Sequence, residues 1–312
     1  MIGHKRLKRV FCHGNWTIDS IDWYTRNMGE MRELAAPAKI NLHLSVGKVR
    51  PDGFHSIESV FCKIGLMDRL YVEFQESKTF QLDVFGLEKL CGKGTDSISQ
   101  AGRLWYESTG KPLAITVHCE KKIPVRAGLG GGSSDAASFL DVLQELYPVQ
   151  PEKLMEIATE VGSDVPFFVS KCTSAWVTGR GEVIQGIETR RYFVCLVMPM
   201  DFSSETCSAY RQLDMFPRDD GPSKERVLEA LGGGSASFGE ILYNDFFKIV
   251  GHMKFYREIA TLAEGLQGFG SLTGSGACYY FLSEKEDQVR FFQQGVNEKM
   301  RDAQRNWITC IL

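Results

Sequence analysis

The sequence predicts a mixed α+β protein, with strands and helices interleaved but no strict alternation of strand and crossover helix. Three observations carry this. Several short stretches alternate apolar and polar residues with the period of a half-buried strand. Others place apolar residues at three- and four-residue spacing, as on one face of a helix. There is also no internal repeat and no linker-like tract to suggest a repeat array or a string of separate units.

Taken in order, residues 37–46 put Ile40, Leu42, Leu44 and Val46 on one face of a strand and Lys39, Asn41, His43 and Ser45 on the other. Pro51-Asp52-Gly53 signals a turn, and strand-like segments follow at 59–64 and 70–74. Asp96 is placed to cap a helix carrying Ile98, Ala101, Leu104 and Trp105, with Gly110 just beyond its end. Residues 113–119 alternate again. A glycine-rich loop then opens a helix bearing Ala136, Phe139, Leu140, Leu143 and Leu146, which stops before Pro148. Pro151 suits the first turn of the next helix, ended by Gly162. Strand character returns at 173–178 and 192–198, around a Gly179-Arg180-Gly181 turn. Helices are expected at 224–231, 252–266 and 285–300, strands at 278–282 and 307–312, and a surface loop at 232–234. A seam near 188–191 is where two lobes would part.

The bulk composition narrows the function classes. The chain has 312 residues, 43% of them hydrophobic, enough for two domains or one large composite one. A net charge of −3 exerts no global pull on nucleic acid or an anionic membrane. A polyanionic ligand would therefore need a local holder. No run approaches the roughly 18 apolar residues that span a bilayer. The nine cysteines are scattered and form no CxxC pair, so neither a zinc site nor a disulfide framework is indicated, and a reduced, cytoplasmic protein is expected. Lys5, Arg6, Lys8 and Arg9 open the chain without the apolar run of a secretory signal, and Asp19, Asp22, Glu30 and Glu33 do not suit a transit peptide. Residues 1–33 read as an extension, with Met28 or Met31 as alternative starts.

The most informative stretch is Pro124-Val125-Arg126-Ala127-Gly128-Leu129-Gly130-Gly131-Gly132-Ser133-Ser134. Glycines let backbone N–H groups approach a ligand closely, and the following helix points its free N–H groups and positive dipole end into the same loop. The product is an anion cradle suited to a triphosphate, with hydroxyls of Ser133 and Ser134 at the helix start to meet a phosphate oxygen or a magnesium ion. A plain glycine turn with a serine cap is the alternative. No Gly-Lys-Ser/Thr follows, so the loop is not a Walker A loop. The third glycine of a dinucleotide fingerprint would fall on Ser133, so that pattern fails too.

This loop resembles the phosphate-binding motif of the galactose/homoserine/mevalonate/phosphomevalonate (GHMP) kinases. Five segments agree in order with the branch of that superfamily that phosphorylates 4-diphosphocytidyl-2-C-methyl-D-erythritol: Pro37-Ala38-Lys39-Ile40-Asn41-Leu42; Arg50-Pro51-Asp52-Gly53-Phe54-His55; the glycine loop with Asp135-Ala136-Ala137; Gly162-Ser163-Asp164-Val165-Pro166-Phe167; and Thr273-Gly274-Ser275-Gly276-Ala277. The resemblance implies a two-lobed α+β GHMP kinase fold with a ribosomal-protein-S5-like N-terminal lobe over 34–190 and a C-terminal lobe over 191–312. It also implies ATP as cosubstrate, Mg2+, and a cytidine diphosphate-linked polyol as the small-molecule partner. Neither nucleic acid nor a membrane is expected as a partner.

The same resemblance assigns roles. Asp164, on a turn between Gly162 and Pro166, matches the catalytic aspartate that accepts the alcohol proton, a job that suits a positioned carboxylate. Lys39 matches the lysine beside it, whose charge favours the ionised carboxylate. Pro124, Ala127, Gly128, Leu129, Gly130, Gly131, Gly132, Ser133 and Ser134 would hold ATP, with Ser134 the candidate magnesium contact. Asn41 would contact the polar tail of the substrate, Phe54 would stack on its cytosine and His55 would bond the polar edge of that ring. Tyr192, Phe193 and Phe202 are alternatives for a second stacking aromatic. Thr206 is placed near the cleft, and residues 270–276 form its second wall. Asn244-Asp245 also resembles a family element, without an assigned role.

Overall fold

The computed structural model describes Gly29 and residues 31–312 apart from 93, 203, 218–220, 234–237 and 301–303. The basic start, Met28 of the two alternative initiator positions, and the last residue of the expected 232–234 loop lie outside the described residues.

The first lobe is built on a long antiparallel hairpin of β1 (Arg32–Val49) and β2 (His55–Glu76). Its turn closes because the Arg50 N–H bonds the Phe54 carbonyl at 2.6 Å and the Gly53 N–H returns to Arg50 at 3.0 Å. β1 begins at Arg32, inside the stretch read from the sequence as extension. The two strand signals at 59–64 and 70–74 are halves of one 22-residue strand. One edge of β2 pairs with β1 from His55 as far as Val72. Its other edge is shared, with 59–62 pairing β5 (Ser174–Thr178) and 69–76 pairing β4 (Leu113–Glu120). β3 (Gln81–Phe85) lies parallel to β4, and β6 (Val183–Gly186) extends β5.

Helices α1 (Ser97–Thr109), α2 (Gly131–Leu146), α3 (Pro151–Val161) and the five-residue α4 (Val165–Val169) belong to the same lobe. Asp96 caps α1 by accepting from the Ser99 N–H at 2.8 Å, and Gly110 ends it in the left-handed region. Fully buried Trp105, Phe139, Phe167 and Phe74 carry the core between these helices and the sheet. Each such side chain contributes about 1.5–3 kcal/mol through apolar burial.

The second lobe is a four-stranded antiparallel sheet of β7 (Phe193–Pro199), β8 (Phe269–Leu272), β9 (Tyr279–Ser283) and β10 (Gln304–Cys310), ordered β10-β7-β9-β8. It carries α5 (Thr206–Leu213), α6 (Lys224–Leu231), the single turns α7 (Phe238–Ile241) and α8 (Phe247–Val250), α9 (Lys254–Ala263) and α10 (Glu286–Met300). The two lobes share a core: Ile40, Leu42, Val60 and Cys62 of β1 and β2 cluster with Val194, Leu196, Tyr280 and Leu282. Two isolated bridges, Leu44–Asn244 and Ile64–Ile311, add backbone pairing between them.

This packing changes the meaning of β1. Alternation predicts one wet face, yet Lys39, Asn41 and His43 are 3%, 2% and 0% exposed. One face of the strand meets the shared core, and the glycine loop and the second lobe cover the other.

Candidate active site

A cleft of about 470 Å³ opens between the glycine loop, the middle of β1, the start of α4 and the second lobe. Pro124 through Ser133 line it, as do Lys39, Asn41, Asp164, Thr206, Gly274 and Ser275. All the sequence candidates except Ser134, Phe54, His55 and the alternative second aromatics thus converge, from five chain segments that no local rule would bring together.

The loop is locked in place by backbone contacts: the Lys39 N–H bonds the Leu129 carbonyl at 2.9 Å and the Cys278 N–H bonds the Ala127 carbonyl at 3.2 Å. Gly130 is needed for close approach, since a Cβ there would lie 3.1 Å from Lys39 Cγ and 3.2 Å from both Lys39 Cε and Phe168 Cε2. The bare backbone lets the lysine stem and the loop pack face to face. α2 begins at Gly131, so its unpaired N–H groups open into the cleft.

Lys39 Nζ lies 3.4 Å from Asp164 Oδ2, donates to Asn41 Oδ1 at 2.9 Å, and stands 4.6 Å above the Phe61 ring. Asp164 sits at the start of α4, yet its side chain makes no capping hydrogen bond, so the carboxylate is not spent on the helix. It is 29% exposed, against 4% for the lysine. A buried cation thus meets a carboxylate open to the cleft.

Asn41 lines the cleft, but its amide is already engaged. Oδ1 accepts from Lys39, from Thr273 Oγ1 at 3.2 Å and from the Gly274 N–H at 2.8 Å, while Nδ2 donates to Ser59 Oγ at 2.9 Å. The residue stitches β1 to the 273–274 turn and orients the lysine. Asn244, noted in the sequence without a role, supports the same turn by donating to the carbonyls of Leu272 and Gly274 at 2.8 and 3.0 Å.

Ser133 faces the cleft, whereas Ser134, the sequence candidate for magnesium, is fully buried and does not line it. One helical step turns position 134 toward the core. Among the described residues, no group of three or more His, Cys, Asp or Glu is placed to hold a metal ion. This donor set fits a magnesium ion only as a companion of nucleotide phosphates and water, with Ser133 the protein hydroxyl at hand.

Beside the loop lies a charge cluster that the sequence reading missed. Lys121 bonds both Asp68 and Asp135, and Asp68 also accepts the Lys122 and Ile123 N–H groups at 2.5 and 2.8 Å. Burial alone would lower Lys121, but the two carboxylates outweigh it and hold it above the ordinary lysine value. One cation between two buried acids leaves an excess negative charge, so burial pushes Asp135 up to about 7 despite Lys121. The spacing of Lys121 and Asp135 around the loop was visible, but Asp68 comes from another strand.

Phe54 and His55 do not line the cleft. Phe54 is 46% exposed, with the Arg180 guanidinium 4.7 Å from its ring centre. His55 donates from Nδ1 to the Gly47 carbonyl at 3.0 Å and places Nε2 3.4 Å from Asp214. Its ring stacks at 5.1 Å on Tyr210, and Tyr210 lines the cleft. Tyr210 is thus the aromatic that meets His55 at this end of the cleft. Tyr192 stacks on Phe238, Phe193 pairs within the second sheet, and Phe202 packs edge-on against Tyr256. Thr206 and Tyr210 sit four residues apart on α5, on one helical face, a spacing legible only once that helix is known.

Fold and site define a GHMP kinase: the family model described as GHMP kinases N terminal domain matches residues 97–171, and that described as GHMP kinases C terminal matches 227–302. The 4-diphosphocytidyl-2-C-methyl-D-erythritol kinase of Thermotoga maritima is 36% identical over 260 residues, covering 80% of this chain and 91% of the relative. That of Thermus thermophilus is 35% identical over 267 residues, covering 83% and 90%. A crystal structure of 4-(cytidine 5'-diphospho)-2C-methyl-D-erythritol kinase superposes with a TM-score of 0.68 at 32% identity, covering 90% of this chain and 99% of that one. A homoserine kinase from Cytophaga hutchinsonii reaches the same TM-score at 13% identity, which shares the fold alone. The chain belongs to the 4-diphosphocytidyl-2-C-methyl-D-erythritol kinase family.

Proposed function

We propose that the protein transfers the γ-phosphate of ATP to the 2-hydroxyl of 4-diphosphocytidyl-2-C-methyl-D-erythritol, a step of non-mevalonate isoprenoid precursor biosynthesis in the cytoplasm. The observation that carries this reading is the Lys39–Asp164 pair at 3.4 Å, in the same cleft as the glycine loop. The loop amides and the start of α2 supply the anion cradle for the phosphates. The apolar residues Leu87, Leu90 and Val125, with Cys91, line the same cleft and suit the flat adenine. Asp164 takes the proton of the hydroxyl as its oxygen bonds the γ-phosphorus and the bridging bond to ADP breaks. Lys39 holds the carboxylate beside the hydroxyl, and Asn41 keeps Lys39 in place. Magnesium bound with the nucleotide supplies charge neutralisation.

Tyr210 and His55 form the aromatic end where cytosine is recognised, with Phe54 available at its exposed rim. The net charge of −3 speaks against nucleic acid as a partner. Among the described residues no helix is long and apolar enough to cross a membrane. ADP release with the cytidyl substrate, beside homoserine, mevalonate and galactose, tests the reading. Activity on the cytidyl substrate alone supports it, and activity only on another alcohol transfers the reaction to a different GHMP acceptor.

A further inference from the structure

Lys63 lies outside the cleft and is 8% exposed. Burying an ammonium group is unfavourable unless it is compensated. The compensation here is specific. Its Nζ donates to the Phe168 carbonyl at 3.2 Å and lies 5.3 and 5.8 Å from the ring centres of Phe167 and Phe168. Its own backbone N–H bonds the Thr173 carbonyl at 2.8 Å. The Phe168 contact falls on the last turn of α4, and Thr173 lies just before β5. The other end of α4 carries Asp164.

Lys63 is also the register partner of Lys39 across the β1–β2 ladder. Directly opposed residues project from the same face of a sheet. The two ammonium groups are linked through aromatic rings: Lys39 stands over Phe61, Phe61 meets Phe167 edge-on at 5.3 Å, and Phe167 carries Lys63. We infer that Lys63 is a positioning residue for phosphoryl transfer: the two opposed lysines hold α4 at both ends, Lys39 at Asp164 and Lys63 at the Phe168 carbonyl, and so set the reach of the Asp164 carboxylate. The inference rests on the assignment of Asp164 as proton acceptor.

The device is sensitive to pH. Burial lowers Lys63 to about 8, with smaller opposing effects from Asp141 of α2, which raises it, and Lys171 beyond α4, which lowers it; Cys172 raises it slightly. Asp141 and Lys171 pair with each other. Above pH 8 the amine loses its charge, and with it the charge-assisted bond and its attraction to the rings.

The test compares wild type, Lys63→Met and Lys63→Arg by steady-state kinetics from pH 6.5 to 9.5 and by amide hydrogen exchange of the free proteins. Lys63→Met is expected to lower kcat roughly tenfold, the scale of a sub-ångström misplacement, with the KM for ATP within about twofold. Exchange over residues 164–171 should quicken about tenfold while the 124–134 loop is unchanged. Lys63→Arg should recover most of kcat and lack the wild-type decline above pH 8. Unchanged kcat and exchange in Lys63→Met overturns the inference, as does a loss that spreads through the whole protein and is not rescued by arginine. If the methionine variant does not fold, an arginine enzyme that keeps the alkaline decline overturns it. Wild type inactive on every alcohol would sink the proposed function, and the exchange pattern would still decide the role of Lys63.

Discussion

Gly128 and Gly274 are pressed backbone to backbone across the two lobes. A Cβ on Gly274 would stand 2.8 Å from the Gly128 carbonyl oxygen and 2.9 Å from its Cα, and one on Gly128 would overlap the Thr273 carbonyl. Both residues have positive φ, 76° and 55°. The phosphate loop and the turn that walls the cleft are thus one joint, built from both halves of the chain.

Gly274→Ala should therefore do more than strain one residue. The left-handed conformation costs an alanine about 1–2 kcal/mol, and the overlap with Gly128 adds to it. Gly110→Ala provides the control, because Gly110 has φ 62° and nothing within 4 Å of its would-be Cβ. Calorimetry and kinetics should show both variants melting lower, with only Gly274→Ala raising the KM for ATP. Equal KM values in the two variants would mean that the joint does not shape the nucleotide site.

Asp164→Asn removes the proposed proton acceptor and leaves the shape. It should reduce kcat by about 10²–10⁴, with little change in nucleotide affinity measured by titration calorimetry. Lys39→Met should lower kcat more than it weakens ATP binding, since Lys39 touches Asp164 and Asn41. Near-normal turnover of folded Asp164→Asn would remove the base assignment.

Tyr210 is the proposed cytosine contact. Stacking of a base on an aromatic side chain contributes about 1–3 kcal/mol, so Tyr210→Ala should raise the KM of the cytidyl substrate roughly 5- to 150-fold. The KM for ATP should stay within about twofold, and Tyr210→Phe should resemble wild type. Equal loss for both substrates would place Tyr210 in the scaffold.

Asp135 gives a stability prediction with a definite sign. Its folded carboxyl stays protonated up to about 7, while in the unfolded chain it ionises near the ordinary aspartate value of 3.8. Between those values the folded state binds more protons, so this group makes stability fall as pH rises. Asp135→Asn cannot ionise, and its carbonyl still accepts from Lys121. Urea midpoints at pH 5 and pH 8 should lie closer together in the variant than in wild type. An unchanged gap would show that Asp135 is already ionised at pH 5.

Much of the scaffold was readable because it obeys local rules. The Asp96 cap, the Gly110 end and the Pro151 start appear in the structure as the sequence implied. What escaped is non-local. Val165–Val169 gave no helical period in five residues, and β3 and β6 are too short to alternate convincingly. The central lysine of β1 looked wet because alternation reports only one strand. Its burial depends on Leu129 and on Thr273, which bonds Asn41, and both lie far along the chain. Tyr210 was missed for the same reason, since its meaning comes from His55 beneath it and not from its neighbours in sequence.

Asn41 accepts from Thr273, 232 positions later. A ribosome emits residues from the N-terminus, so the glycine loop and Asp164 emerge long before the turn that completes their cleft. A nascent chain bearing every proposed catalytic group is still without the clasp that orients Lys39. Catalytic competence therefore arrives late in translation, and unfinished chains released early should be poor consumers of ATP.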